Sequence, residues 1–322
     1  MYIDELVKRN TAVNINPPAA DINIHLTEHG SSWLWAAFSV FGVLMVAHGF
    51  MYSLTSVRKS GLKKALLTIP LFTNAVMTYA YYTYASNLGN TGIPVEFTHA
   101  GTGVRQIFYS KFIGWFLAWP LVLAVFEVTT HTHLTANDDT DLISRFISLF
   151  SGLFTKFLAI EVFVLALLIG ALIESSYKWG YFTFGVFALL FVIYLVSVDL
   201  HYSLRETVKS TFGNFLIIFA IVVWVLYPIC WGLSEGGNVI QPDSEAVFYG
   251  ILDLINFGLL PTILTWIAVR NVDEEFFRNL GHFGRRDASP AQEKELDTTP
   301  RHSGDTAVAP AGVPAVRDEE EV

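Results

Sequence analysis

The chain has 322 residues, of which 52% are hydrophobic, 15% aromatic and only 15% charged, with a mean hydropathy of +0.45. A soluble domain carries nearer a quarter charged residues, so these values exclude an ordinary soluble globule and point to a polytopic membrane protein with room for seven spans of about 20 residues. The formal net charge of −9 is concentrated in the C-terminal tail, and no basic patch is interleaved with aromatics, which excludes nucleic acid as a partner.

Residues 1–32 are polar and mixed, and Asn16-Pro17-Pro18 forbids a helix at that point. They read as an ordered or half-ordered extracellular lid. Seven apolar segments follow, at Trp33–Leu54, Lys64–Ala85, Ile107–Glu127, Phe146–Leu172, Tyr181–Leu200, Phe212–Leu233 and Ala246–Val269. Each approaches the length a bilayer requires, so the expected fold is an all-α, seven-helix transmembrane domain over residues 33–269. Arg58, Lys59, Lys63 and Lys64 in the first connection, Arg205 and Lys209 in the fifth, and Arg270, Arg278, Arg285 and Arg286 after the last span outweigh Arg105 and Lys178 on the other side. The positive-inside rule then places the N-terminus outside and the C-terminus in the cytoplasm. Asp138, Asp139 and Asp141 in the third connection run against this trend, but acidic residues weigh little in the rule.

Residues 270–286 mix Phe276, Phe277, Leu280 and Phe283 with Arg278, His282 and Arg285, a pattern expected to lie along the inner leaflet. Residues 287–322 turn to Pro, Ala, Thr, Ser, Asp and Glu and are expected to be disordered. That tail is either simply solvated or a site of phosphorylation at Ser289, Thr298, Thr299 or Ser303. Cys230 is the single cysteine and permits no intrachain disulfide, no N-x-[ST] acceptor occurs, and no cleavable leader is expected ahead of the first apolar run.

Three spans carry the candidate chemistry. In the sixth, Trp224, Tyr227, Pro228 and Trp231 fall at i, i+3, i+4 and i+7, so one face presents three rings around a proline, suited to holding something flat. In the seventh, the lone carboxylate Asp253 is followed one turn later by Phe257. In the third, Lys111, Gly114, Trp115 and Ala118 share a face that would meet the same pocket, with Pro120 five residues after the tryptophan. A bare aspartate is costly in hydrocarbon, so a Lys111–Asp253 ion pair, direct or through water, is expected, with the Tyr227 hydroxyl also reaching Asp253. Two readings stay open. Either this cluster only fixes helix packing, or Trp115, Ala118, Trp224, Tyr227, Trp231, Asp253 and Phe257 line a vestigial pocket for a lipid or other apolar ligand.

Lys156 and Glu161 in the fourth span lie about 7.5 Å apart along the axis; either they bond to each other or Lys156 snorkels to the inner surface. His48 and His201 either respond to pH or are satisfied by neighbours. No Ser/His/Asp grouping, metal-ligand spacing or phosphate loop is present, and His131-Thr132-His133 reads as a solvated loop, so neither an enzyme nor a metal site is expected.

The sixth and seventh spans resemble those of microbial rhodopsins, in which an aromatic cage encloses retinal and a lysine one turn after the aspartate binds it. That lysine position falls on Phe257. The third span resembles that of light-driven proton pumps: their tryptophan and proline match Trp115 and Pro120, their basic residue Lys111. Their Schiff-base proton acceptor falls on Gly114 and their internal donor on Val125, while Glu127 is two positions off the pattern. Glycine and valine do not titrate, and the seventh span has no lysine, so covalent retinal and light-driven pumping are not expected.

Asn14-Ile-Asn-Pro-Pro18, Ala85-Ser-Asn-Leu-Gly89, Arg105-Gln-Ile-Phe-Tyr109, Gly114-Trp-Phe-Leu-Ala118, Tyr177-Lys-Trp-Gly-Tyr181 and Gly236-Gly-Asn-Val-Ile-Gln-Pro-Asp243 are similar to the fungal opsin-related proteins over residues 14–270. That group includes a yeast plasma-membrane heat-shock protein. The resemblance implies a stress-induced plasma-membrane protein without the retinal lysine, restraining the proton ATPase or acting as a membrane chaperone. Expected partners are membrane lipid, the proton ATPase and further copies of the chain. The alternatives are a sensor or transporter holding an apolar ligand, non-covalent retinal included, and an ion channel built around Lys111 and Asp253.

Overall fold

In hydrocarbon every backbone polar group must be satisfied within the segment, and helices achieve this. The computed structural model describes residues 10–55, 57–131, 142–208 and 210–271. It contains α1 (Glu28–Leu54), α2 (Val57–Ala85), α3 (Tyr109–His131), α4 (Leu142–Ala171), α5 (Lys178–Thr207) and α6 (Ser210–Trp231). The seventh helix, α7, is built from Pro242–Asp253, a wider π-helical stretch Leu254–Leu259, and Leu260–Asn271. A second π-helical turn, Gly232–Gly236, extends α6. Six of these helices are long and apolar enough to cross a bilayer by length and composition. The exception is α2, whose Lys63, Lys64, Thr73, Asn74 and tyrosines lower its hydropathy.

Several helices begin earlier than the apolar runs, because their first turns are polar. The Thr27 side chain accepts from His29 N and starts α1 at Glu28, so the boundary expected at residues 32–33 falls inside the helix. Pro242 occupies the first turn of α7, where its missing N–H costs nothing. The third helix starts later than expected, at Tyr109, because Val104–Phe108 (β2) pairs antiparallel with Asn90–Pro94 (β1), Asn90 opposite Phe108. Asn87 and Gly89, both at positive φ, turn the chain from α2 into this hairpin.

The helices close into a ring in chain order, α7 returning to α1, and α3 additionally packs on α5 and α7. That position makes α3 the most buried span. Its inward residues Phe112, Trp115, Ala118, Trp119, Val122 and Leu123 are fully enclosed, while Val43, Phe50, Phe184, Phe187 and Ile218 of other helices face outward. A single helical turn, Ala12–Ile15, stops at Asn16 ahead of the two prolines. The segment around it docks on the hairpin end through Asn16 Nδ2 to Ser86 O (2.8 Å), Asn87 Nδ2 to Asn16 O (2.7 Å) and Leu26 N to Gln106 Oε1 (2.9 Å). Residues 1–9, the acidic third connection with His133, the amphipathic stretch beyond Asn271 and the tail at 287–322 lie outside the described residues.

Closure between α1 and α7 depends on glycine. A Cβ added at Gly250 would lie 2.5 Å from Trp33 Nε1, which donates to Ala246 O at 3.2 Å. Gly250→Ala is therefore expected to displace a rigid indole and cost about 1–3 kcal/mol. Gly42→Ala, where nothing lies within 4 Å, should leave stability unchanged or slightly raised. Thermal melts in detergent followed by circular dichroism compare the two; equal midpoints would contradict the close α1–α7 approach.

Candidate functional site

The π-helical stretch of α7 begins directly after Asp253 and contains Asn256 and Phe257, and such wide turns often mark functional positions. It brings Asp253 and Phe257 into the core beside α3 and α6, both essentially inaccessible. Asp253 accepts from three donors on three other helices: Tyr81 Oη of α2 (2.7 Å), Tyr227 Oη of α6 (2.7 Å) and Trp115 Nε1 of α3 (3.0 and 3.1 Å to the two oxygens). Tyr81 had no place in the sequence reading. Its position in a helix dense in tyrosines gave no cue to which ring turns inward.

A direct Lys111–Asp253 ion pair, the first of the two expected forms, is not formed. Lys111 Nζ instead pairs directly with Glu235, in the π-helical turn after α6, and with Glu245, in the first turn of α7. Glu245 also accepts from Arg105 Nη2 at 2.7 Å, and Arg105 Nη1 donates to Asn238 Oδ1 and Ile240 O, each at 2.8 Å. Ser234 Oγ and Tyr249 Oη donate to Glu235 as well, and Lys111 Nζ sits 4.4 Å from the Tyr249 ring centre. Two cations thus face two carboxylates, all buried. The lysine goes where the uncompensated negative charge is, since Asp253 already has its donors.

The aromatic face divides. Trp224 and Tyr227 turn toward α3, and Trp224 Nε1 donates to Asn256 Oδ1 at 2.7 Å. Trp231 turns toward α4 and α5, stacked on Phe182 at 5.1 Å and donating to Leu167 O at 3.0 Å. Trp119, one turn after Trp115 and unremarked in the sequence reading, packs edge-on against Trp224 (5.2 Å), Tyr227 (5.6 Å), Phe257 (5.5 Å) and Phe163 (6.3 Å). Its four-residue spacing from Trp115 was the available signal. The rings fill the space between α3, α6 and α7 with one another. Ala118 and Val125 are buried beside them. Gly114 faces α2, where a Cβ would come within 2.6 Å of Ala80 Cβ.

A second charge cluster lies toward the other end of α3. Lys156 Nζ of α4 pairs with Glu127 of α3 and with Asp199 Oδ2 of α5 at 2.6 Å. Neither expectation for Lys156 holds, because two carboxylates on adjoining helices reach its buried amine. Glu161 has no partner among the described residues. His48 Nδ1 lies 2.8 Å from Leu44 O, and His201 Nε2 lies 3.2 Å from Arg205 Nη1. From Lys111 to Glu127 the axis of α3 rises about 24 Å, and Trp115, Trp119 and Phe126 occupy the interval.

Lys111→Met would leave Glu235 without its cation and is expected to cost about 3–5 kcal/mol. Lys111→Met combined with Glu235→Gln leaves Arg105 and Glu245 matched and should recover most of that loss. Urea unfolding in mixed micelles measures both, and a silent Lys111→Met would refute the assignment.

A family model described as bacteriorhodopsin-like protein matches residues 30–268. The 30 kDa heat shock protein of Saccharomyces cerevisiae is 35% identical, with 95% of this chain and 94% of that protein covered. The opsin-like protein carO of Fusarium fujikuroi is 34% identical, covering 88% and 95%. Among solved structures, the light-driven proton pump LR (Mac) from Leptosphaeria maculans shares the fold at a TM-score of 0.63 and 21% identity, covering 78% of this chain and 100% of that one. This membrane-spanning chain belongs to the bacteriorhodopsin-like family, among its fungal opsin-related members.

Proposed function

We propose that this is a non-photochemical, opsin-like stress protein of the plasma membrane, N-terminus outside and C-terminus cytoplasmic, that acts by contact as a regulator of the proton ATPase or as a membrane chaperone rather than as an enzyme. The observation that carries the reading is Phe257. It stands one turn after Asp253 in a helix without lysine and packs against Trp119 where a flat chromophore would need room. The residues present do not fit a covalently held retinal: α7 offers no amine, and the two rings occupy each other's flank. Gly114 and Val125 supply no titrating group along α3.

The stress role is supported by the heat shock relative, similar over nearly the whole of both chains. The charge count of the connections supports the orientation.

Incubating the purified protein with all-trans-retinal should give no visible absorption band; a band that bleaches under illumination would overturn the non-photochemical reading. Deleting the gene should raise ATP-dependent proton extrusion in heat-stressed cells. Unchanged extrusion together with unchanged survival after heat would remove both the ATPase and the chaperone roles.

A further inference from the structure

Where the segment before α1 is laid against α1 and α2, a cavity of about 350 Å³ opens between Asn10, Thr11 and Asn16 on one side and Trp35, Tyr82 and Ser86 on the other. The first wall is held in place by its own amides: Asn10 Nδ2 donates to Ser31 Oγ at 2.9 Å, and Asn16 Nδ2 to Ser86 O at 2.8 Å. The second wall is aromatic. Trp35 and Tyr82 meet edge to face at 5.6 Å, and Tyr82 is 48% exposed. Trp35 lies about 10 Å along α1 from Glu28, in a helix about 40 Å long that crosses a hydrocarbon core about 30 Å thick. The cavity therefore sits at the edge of the hydrocarbon, within reach of water and of lipid headgroups alike.

Three features define its occupant. No charged residue lines the cavity, so nothing there neutralises a phosphate, a carboxylate or an ammonium group. Four side-chain oxygens are left over: among the described residues, Thr11 Oγ1, Asn16 Oδ1, Tyr82 Oη and Ser86 Oγ have no hydrogen-bond partner. Neither Asn16 Oδ1 nor Ser86 Oγ is sealed inside the protein, although Ser86 as a whole is only 7% exposed. An amide oxygen only accepts and a hydroxyl both donates and accepts, so the matching ligand carries several hydroxyls. The two rings, finally, offer apolar surface for C–H groups beside those polar atoms. The volume falls near the lower end of small-molecule sites, which run from about 300 to 1,000 Å³.

We propose that this cavity binds a neutral hexopyranose ring. One face of the sugar lies on Trp35 and Tyr82, and its hydroxyls bond Thr11, Asn16 and Ser86. An uncharged ring with C–H groups on its faces and hydroxyls around its rim matches the uncharged lining, the four unpaired oxygens and the aromatic wall together. A choline headgroup would meet the rings and leave the oxygens unpaired. The sugar has two possible sources, a glycolipid headgroup and a soluble glycan.

The test is saturation-transfer difference NMR on the full chain in phosphatidylcholine nanodiscs, with methyl β-D-glucopyranoside and cellobiose as free probes. Both faces of a disc are open to solvent, so the readout depends neither on the orientation nor on the stress role proposed above. Transfer to the sugar C–H protons is expected. Thr11→Trp, which fills the cavity from an exposed position, should abolish it, whereas Phe187→Ala on α5 should leave it unchanged. Ser86→Ala should weaken binding about fivefold, the loss of one hydrogen bond, and Trp35→Ala about tenfold, with Trp35→Phe recovering part of the loss. Displacement of the free sugars by glucosylceramide built into the same disc assigns a lipid headgroup as the source; transfer to cellobiose without such displacement assigns a soluble glycan. No transfer to either sugar, transfer that survives Thr11→Trp, equal transfer to phosphocholine, or transfer seen only once residues 1–9 are removed would overturn the proposal.

Discussion

Hydrocarbon solvates no charge, so every ionised group buried in this bundle has to be neutralised by the protein itself. At the hairpin end that requirement is met by Arg105, Lys111, Glu235 and Glu245, contributed by β2, α3, the π-helical turn after α6 and the first turn of α7. Displacing any of these elements strands a charge, which fixes the α6–α7 connection against α3. Lys156, Glu127 and Asp199 do the same for α3, α4 and α5 farther along. Such pairs add little net stability over apolar packing, but they make misregistered arrangements expensive.

Asp253 obeys the same rule by other means. Among the described residues no cation pairs with it; it has Tyr81, Tyr227 and Trp115, each donating from a different helix, and hydrogen bonds to a carboxylate are among the stronger ones. This ties α7 to the middle of α2, α3 and α6. Around it the edge-to-face contacts of Trp119 with Trp224, Tyr227 and Phe257 form a filled layer between the two charge clusters. A frame shared with light-driven pumps thus has polar groups toward both ends and close-packed rings between them, an arrangement suited to a rigid scaffold.

The absence of a side chain at Gly114 has an effect on the outside of the bundle as well. With no Cβ there, α2 approaches through Ala80, and a groove beside that contact opens on the outside of the bundle.

The amino-acid sequence by itself determined the seven helices, because bilayer thickness and the need to satisfy every backbone group leave a run of about 20 apolar residues little alternative. It also determined that the seventh helix carries no amine, since a helix without lysine has none however it folds. Periodicity put Lys111 with Trp115 on one face and Trp224 with Tyr227 on another, and the resemblance to rhodopsins set those faces beside Asp253. The sequence did not determine the partner of Lys111. Glu245 is 134 residues away, and both glutamates sit near helix ends, where a carboxylate is unremarkable until folding buries it. The π-helical turns, the inward rotation of Tyr81 and the turn of Trp231 toward α4 and α5 were likewise decided by tertiary structure. A period of 3.6 says which residues share a face only while the helix keeps that period, and side-chain charges choose among partners only once the fold has set the distances.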